Sequence, residues 1–137
     1  MIALELVPEV SADGGAWKIL GILSKNRKEC SIAQIGGMYQ GITSVGIDDD
    51  SSPEVKKFIV NHAEISSLLV SAESAKEFCE VKKGDDAGLM AKLTNLIIIE
   101  SDLSAEDKAL IEEAGFTIHF WRDVIEKGRE VALEPQT

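Results

Sequence analysis

Cysteine, basic charge and long apolar runs are all scarce in this sequence, and each scarcity excludes a class of protein. The two cysteines, Cys30 and Cys79, stand far apart and form neither a C-x-x-C pair nor a disulfide framework. They are expected to be reduced thiols of a cytoplasmic protein. The longest candidate apolar run, Leu96-Ile97-Ile98-Ile99, is strand-sized beside the ~20 residues of a membrane helix, so no span is expected. The opening Met1-Ile2-Ala3-Leu4-Glu5-Leu6-Val7-Pro8 lacks a basic segment ahead of its short apolar run, and no secretory signal is expected. Lys and Arg together number 14 against 24 Asp and Glu, a net charge of −10. Nucleic-acid and anionic lipid phosphates would be repelled, so neither is an expected partner.

Apolar residues are not scarce. They make up 45% of the 137 residues, too many for a disordered chain and enough for one domain with a real core. There is no repeat, low-complexity tract or linker. A single domain over 1–137 is expected, with 1–15 and 132–137 irregular.

Short apolar runs alternate with helical patterns. Trp17 to Leu23 reads as a first strand. Asn26 is placed to cap a helix reaching Tyr39 or Gln40, with Glu29 as a capping-box partner and Gly41 as its stop. Ile42 to Ile47 reads as the second strand. Ser52-Pro53-Glu54 combines a hydroxyl cap, a first-turn proline and an acid at the positive helix end, and predicts a helix to about His62. Ile65 to Val70 is the third strand, followed by a helix opened by Ser71 or Ser74 and ending near Lys82-Lys83-Gly84. Asp85-Asp86-Ala87-Gly88 reads as a turn. Asn95 to Glu100 is a fourth strand, apolar in the manner of a strand buried on both faces. Ser104 with Asp107 predicts the next helix start and Gly115 its stop. Thr117 to Trp121 is a fifth strand, and Arg122 to Val131 a weaker last helix containing Gly128. The expected fold is α/β: a three-layer, doubly wound, parallel five-stranded sheet of flavodoxin-like order 2-1-3-4-5.

Ligands of such sheets sit beyond the carboxyl ends of the strands. The loop after the first strand, Ser24-Lys25-Asn26-Arg27-Lys28, has no glycine with which to wrap a phosphate, so its cations are expected to be solvated. After the second strand come Asp48-Asp49-Asp50, three carboxylates of the kind that attract Mg²⁺ or Ca²⁺. They are weak metal candidates; a solvated turn before a helix is the expectation. A phospho-receiver would carry its acceptor Asp after the third strand, where Ser71-Ala72-Glu73 stands. His62 and His119 lack any spacing that makes a metal or nucleophile site. Gly36-Gly37 inside a helix suggests close packing. No catalytic or cofactor-binding residue is assigned, and no cofactor is expected.

Several stretches nevertheless resemble one family. Gly21-Ile22-Leu23-Ser24-Lys25-Asn26-Arg27-Lys28-Glu29, Ile32-Ala33, Tyr39-Gln40-Gly41 and Ser52-Pro53-Glu54 are similar to the front part of long-chain acyl-CoA synthetases, members of the AMP-forming adenylating superfamily. Phe58-Ile59-Val60-Asn61-His62-Ala63-Glu64-Ile65 resembles that family's "I-x-N-H-x-E" turn more specifically, and Leu69-Val70-Ser71 its following strand. Asn95 to Ile99, Glu113 to Ile118 and Trp121 to Arg129 resemble later stretches, so the likeness spans about residues 17–131 and is poor over Gly84 to Lys92. Departures are clear. Cys30 stands where a tryptophan is frequent, Phe120 where a polar cap is frequent, and Asp49 alone of the three turn acids keeps the family identity. The "T-S-G-T-T-G-x-P-K" phosphate loop, the adenine motifs, the hinge and the catalytic lysine are all absent from these residues.

The resemblance therefore implies a structural α/β subdomain of a fatty acid–CoA ligase that does not adenylate alone. In the parent family it would pack against the remaining lobes of the synthetase. A free-standing binding module on the same fold is the alternative, and a Mg-dependent receiver-like domain a third. A lobe without its usual cover is also expected to form a homodimer, burying Ile118, Phe120 and Trp121 of the last strand–helix unit.

Overall fold

The fold grows from two strands that are buried almost throughout. In the computed structural model, which describes residues 1–24, 27–85 and 88–131, Leu68, Leu69 and Val70 of one strand and Leu96, Ile97 and Ile98 of its neighbour are each 0% exposed. Side chains of a strand alternate between faces, so an unbroken buried run requires cover on both sides of the sheet.

The elements follow in the order β1 (Glu9–Ala12), β2 (Gly15–Leu23), α1 (Lys28–Met38), β3 (Ile42–Ile47), α2 (Pro53–His62), β4 (Ser67–Val70), α3 (Ala72–Lys83), β5 (Asn95–Ile98), α4 (Ala105–Glu113), β6 (Thr117–Phe120) and α5 (Trp121–Glu130). A short 3₁₀ turn, Ile2–Leu4, precedes them. Strands β2 to β6 pair in parallel, β3 with β2, β2 with β4, β4 with β5 and β5 with β6. One core cluster joins Val60, Ala75, Phe78 and Ile111 of α2, α3 and α4 to Leu68, Val70, Leu96 and Ile98. The other joins Ala33 of α1 and Val124 of α5 to Leu20, Ile22, Leu69 and Ile97. Helices thus cover both faces of a largely parallel sheet, as the alternation of apolar runs predicts.

Three helix starts follow their sequence signals. Ser52, Ser71 and Ser104 each accept a hydrogen bond from the backbone N–H three residues on, at 3.2–3.3 Å. Gly115 has φ 95°, the left-handed conformation that ends α4. Trp121 differs from expectation, opening α5 instead of closing the last strand. α5 also runs through Gly128 without a break.

The larger correction is at the start. Residues 1–15, expected to be irregular, hold the 3₁₀ turn and a sixth strand, so the sheet has six strands and not five. β1 pairs antiparallel with β2, Ala12 opposite Gly15, around a two-residue Asp13-Gly14 turn. Both turn residues have positive φ, 49° and 77°, as the tight hairpin turn demands. Lys18 pairs with Ile42 on one side and Glu9 on the other, so β1 shares the β4 side of β2. Between hairpin and 3₁₀ turn, Leu6 and Val7 are buried against Leu69 and Ile97, filling the face that α1 and α5 leave open. The Ser67 hydroxyl donates to the Leu6 carbonyl and ties this cover to β4. The cap expected at Asn26 and the tail 132–137 lie outside the described residues, as do Lys25, Asp86 and Ala87.

Gly21 marks the tightest place in the sheet. A Cβ there would stand 2.8 Å from Leu68 Cδ1 and 3.1 Å from Ile65 Cγ2. Gly21→Ala is therefore expected to destabilise the fold by about 1–3 kcal/mol through overpacking. Gly36→Ala meets nothing within 4 Å and gains about 0.5–1 kcal/mol of helix propensity. Urea unfolding of both variants reads the opposite signs.

Candidate functional site

Carboxyl ends of parallel strands gather loops and helix N-termini at one edge, and the chemistry-bearing residues of this chain meet there. Ser24 follows β2, Asp48 follows β3, Ser71 follows β4 and Glu100 stands two residues beyond β5. The chain leaves β2 for β3 over one face and returns from β3 to β4 over the other. The crevice between β2 and β4 is thus the switch point where doubly wound sheets hold ligands.

That crevice is bridged from within. Arg27 Nη1 donates to Glu100 Oε1 at 2.7 Å. The Ala72 N–H, first in α3, donates to Glu100 Oε2 at 2.7 Å. Further along α3, the Ser74 N–H is engaged by the Ser71 hydroxyl and the Ala75 N–H by the Ser71 carbonyl. An unfilled helix N-terminus attracts anions because its N–H groups point outward with the positive end of the dipole. Here a carboxylate of the same chain takes that place, and a guanidinium balances it. Arg27 also lies 3.5 Å from Glu29. Arg27 stays exposed, as a solvated cation would, and also joins the loop after β2 to the end of β5.

A shallow cleft of about 530 Å³ opens beside this bridge, between β2, β3 and the start of α1. Ser24, Arg27, Cys30, Gln34 and Asp48 line it, and neither histidine does. Cys30 is half-buried there without an imidazole base among the lining residues, so no activated nucleophile is assembled. Cys79 is buried in the core, where burial pushes its thiol up to about 11. It stays protonated and unreactive at neutral pH.

The acidic turn is internally organised. Asp48 Oδ1 accepts the Asp50 N–H at 3.0 Å, and the Asp48 carbonyl accepts the Ser51 N–H. The Asp49 carbonyl accepts from buried Lys56 Nζ at 2.9 Å. Among the described residues, no group of three or more His, Cys, Asp or Glu is placed to hold a metal ion. His62 stacks on Phe58 at the end of α2, ring centroids 5.4 Å apart. His119 Nε2 lies 3.2 Å from Asn95 Oδ1, and burial lowers its pKa, so the ring is neutral at pH 7. Stability drawn from that neutral ring is full above its ordinary value of 6.5 and is lost as pH falls toward the lowered one.

No family model matches the chain. Its sequence relatives are acyl-CoA synthetases. It is 27% identical over 111 residues to fatty acyl-CoA synthetase B of Dictyostelium discoideum, covering 81% of this chain and 16% of that protein. It is 27% identical over 103 residues to long chain acyl-CoA synthetase 2 of Arabidopsis thaliana, covering 75% and 15%. Its structural neighbours include adenylation domains of carboxylic acid reductases. The A domain of a carboxylic acid reductase from Segniliparus rugosus, solved with AMP and a co-purified carboxylic acid, superposes with TM-score 0.66 at 21% identity over 99% of this chain and 23% of that one. The adenylation domain of a carboxylate reductase from Mycobacterium chelonae gives TM-score 0.69 at 16% identity, covering 88% and 19%. The chain thus has the fold of one part of an adenylation domain and spans about one sixth of the length of the curated relatives it matches.

Three outcomes check this geometry. Glu100→Ala leaves Arg27 and the α3 N-terminus without their shared acceptor and is expected to cost about 0.5–2 kcal/mol, as loss of a helix cap does. Urea titration measures it, and an unchanged midpoint would make the bridge ornamental. Asp50→Ser keeps the Asp48-capped turn and removes one of three adjacent like charges, so it is expected to be neutral or slightly stabilising. Millimolar Mg²⁺ or Ca²⁺ is expected to leave the Tm of the unmutated chain unchanged.

Proposed function

We propose that this chain is a non-catalytic α/β lobe of the long-chain acyl-CoA synthetase type, unable to adenylate a carboxylate by itself. The observation that carries the reading is the filled switch point: Glu100 occupies the helix N-terminus that a ligand anion would need. Its likeness to about one sixth of two acyl-CoA synthetases supports the parentage. Adenylation requires donors that hold the α-phosphate and offset the charge developing on it. The phosphate loop and catalytic lysine of the resembling family have no counterpart in this sequence. A role in shaping and supporting the remaining lobes of a synthetase follows, and a homodimer follows when those lobes are not present. Free Cys30 and Cys79 fit a reducing, cytoplasmic setting. Among the described residues no helix is long and apolar enough to cross a membrane.

A free-standing binding module is the second reading, and one observation favours it. α1 exposes Ile32, Ile35, Met38 and, just past its end, Tyr39, at 49–71% of their surface. Such a face suits a protein partner. A receiver-like domain has less support, because the position after β4 that would carry its acceptor Asp holds Ser71-Ala72-Glu73.

Pyrophosphate release separates the readings. The purified chain, given ATP, Mg²⁺ and a long-chain fatty acid, is expected to release none above a no-protein control. Turnover that follows the chain through two unrelated purification steps would sink the non-catalytic assignment.

A further inference from the structure

The sheet has two outer edges, and they are protected very differently. β6 is four residues long, and α5 begins at the next residue. Arg122 lies over the Phe120 ring, 5.7 Å from its centroid, while Ile118 and Phe120 pack against one core cluster and Trp121 against the other. The last strand–helix unit, where the sequence suggests self-association, is largely spoken for. β3, by contrast, runs six residues, Ile42-Thr43-Ser44-Val45-Gly46-Ile47, without a charge or a proline. Among the described residues it pairs only with β2. Thr43 and Gly46 are exposed, and Ser44 and Val45 half-exposed. Short length, edge lysines, prolines and bulges are what normally prevent one sheet edge from pairing with another. β3 has none of these.

The flank beside this edge is apolar as well. Lys57 of α2 donates to the Gly84 carbonyl beyond α3, which places that side of α2 against α3. Residues advance by about 100° around a helix, so Val55 and His62 fall on the side of α2 away from α3, and Phe58 lies opposite the buried Lys56 and Val60. Val55 and Phe58 are 45% and 62% exposed.

We infer that β3 is a homotypic interface: two copies of this chain join edge to edge, β3 antiparallel to β3, into one continuous sheet. The inference rests on the reading of the chain as a lobe that leaves surface for a partner, and names that partner as a second copy. Charge selects the arrangement. Lys18 is the only charged residue in β2 and β3, and Asp48-Asp49-Asp50 follow β3 directly. Parallel pairing would set the two acidic turns side by side. Antiparallel pairing places them at opposite ends of the shared ladder, roughly 20 Å apart at ~3.3 Å per residue, well beyond the ~8 Å screening length of physiological salt. Each acidic turn then approaches the start of the other copy's β3, where Lys18 is one strand in. A two-fold axis through such a pair keeps each face on its own side. A register centred on Val45 sets Val45 opposite its copy and Thr43 opposite Ile47, all on the face that α2 covers.

Sedimentation velocity of the full chain over a concentration series tests this, with Thr43→Lys and Trp121→Lys beside it. Thr43 is exposed, and thermal melts of the variants establish that each still folds. A concentration-dependent dimer is expected, with at least a tenfold weaker dissociation constant in Thr43→Lys. Raising NaCl from about 0.01 to about 0.15 M should tighten the dimer, because it screens the repulsion between two acidic copies. Hydrogen exchange should slow at the β3 amides as concentration rises. A strict monomer at high micromolar concentration overturns the interface, and so does a dimer broken by Trp121→Lys but not by Thr43→Lys. In either case, absent pyrophosphate release leaves the non-catalytic reading standing, whereas turnover removes it whatever the oligomeric state.

Discussion

Everything in this molecule answers to the burial of β4 and β5. Two adjacent strands without a polar side chain facing water cannot sit at a surface, and a single helical layer would leave half their side chains wet. Two layers are therefore obligatory. The helices α2, α3 and α4 supply one, with Phe78 and Ile111 at its centre. The other is thinner, because only α1 and α5 reach it. The chain makes up the deficit with its first residues, Leu6 and Val7, and fixes them through Ser67. The N-terminal stretch is thus a working part of the second layer.

The same constraint governs the carboxyl edge of the sheet. Strands this apolar end abruptly, and their first polar residues emerge together at one rim. In a ligand-binding relative of this architecture those residues would face outward to a phosphate or carboxylate. Here Glu100 turns back into the rim and satisfies Ala72 and Arg27. One carboxylate joins three loops, those after β2, β4 and β5. The arrangement places a carboxylate at the α3 N-terminus and links the rim with short charge-assisted bonds.

Much of the fold was legible in the sequence, for identifiable reasons. Ser52-Pro53-Glu54, Ser71 and Ser104 write their helix starts locally, since cap and acceptor are three residues apart. Leu96-Ile97-Ile98 reads as a doubly buried strand from composition alone. The β1–β2 hairpin carried a signal that the sequence reading passed over: Asp13-Gly14 is a strong two-residue turn pair, but β1 holds Glu9 and Ser11 and lacks an apolar run. The Arg27–Glu100 bridge was illegible in principle, because its partners are 73 residues apart and meet only when β2, β4 and β5 are adjacent. What could be noticed is that Glu100 is the first charge after a fully apolar strand, a position that must emerge at the rim. The acidic turn shows the converse. Asp48, Asp49 and Asp50 are adjacent in sequence, yet Asp48 Oδ1 accepts the Asp50 N–H while Asp49 Oδ1 is buried without a hydrogen-bond partner, and adjacency along the chain does not make a coordination shell.

Charge also decides which surfaces remain available. A chain of net charge −10 repels its own copies over most of its surface. Apolar contact gains from an interface only where carboxylates need not be desolvated or crowded together. The uncharged stretches of β2 and β3 and the Val55–Phe58 flank of α2 meet that condition, and the carboxylates of the acidic turn are confined to one end of β3. Removal of charge from the middle of an edge has no benefit for a solitary domain, since edge charges are what keep sheets apart. An edge left neutral while the rest of the surface is acidic has the electrostatics of a surface meant to be covered.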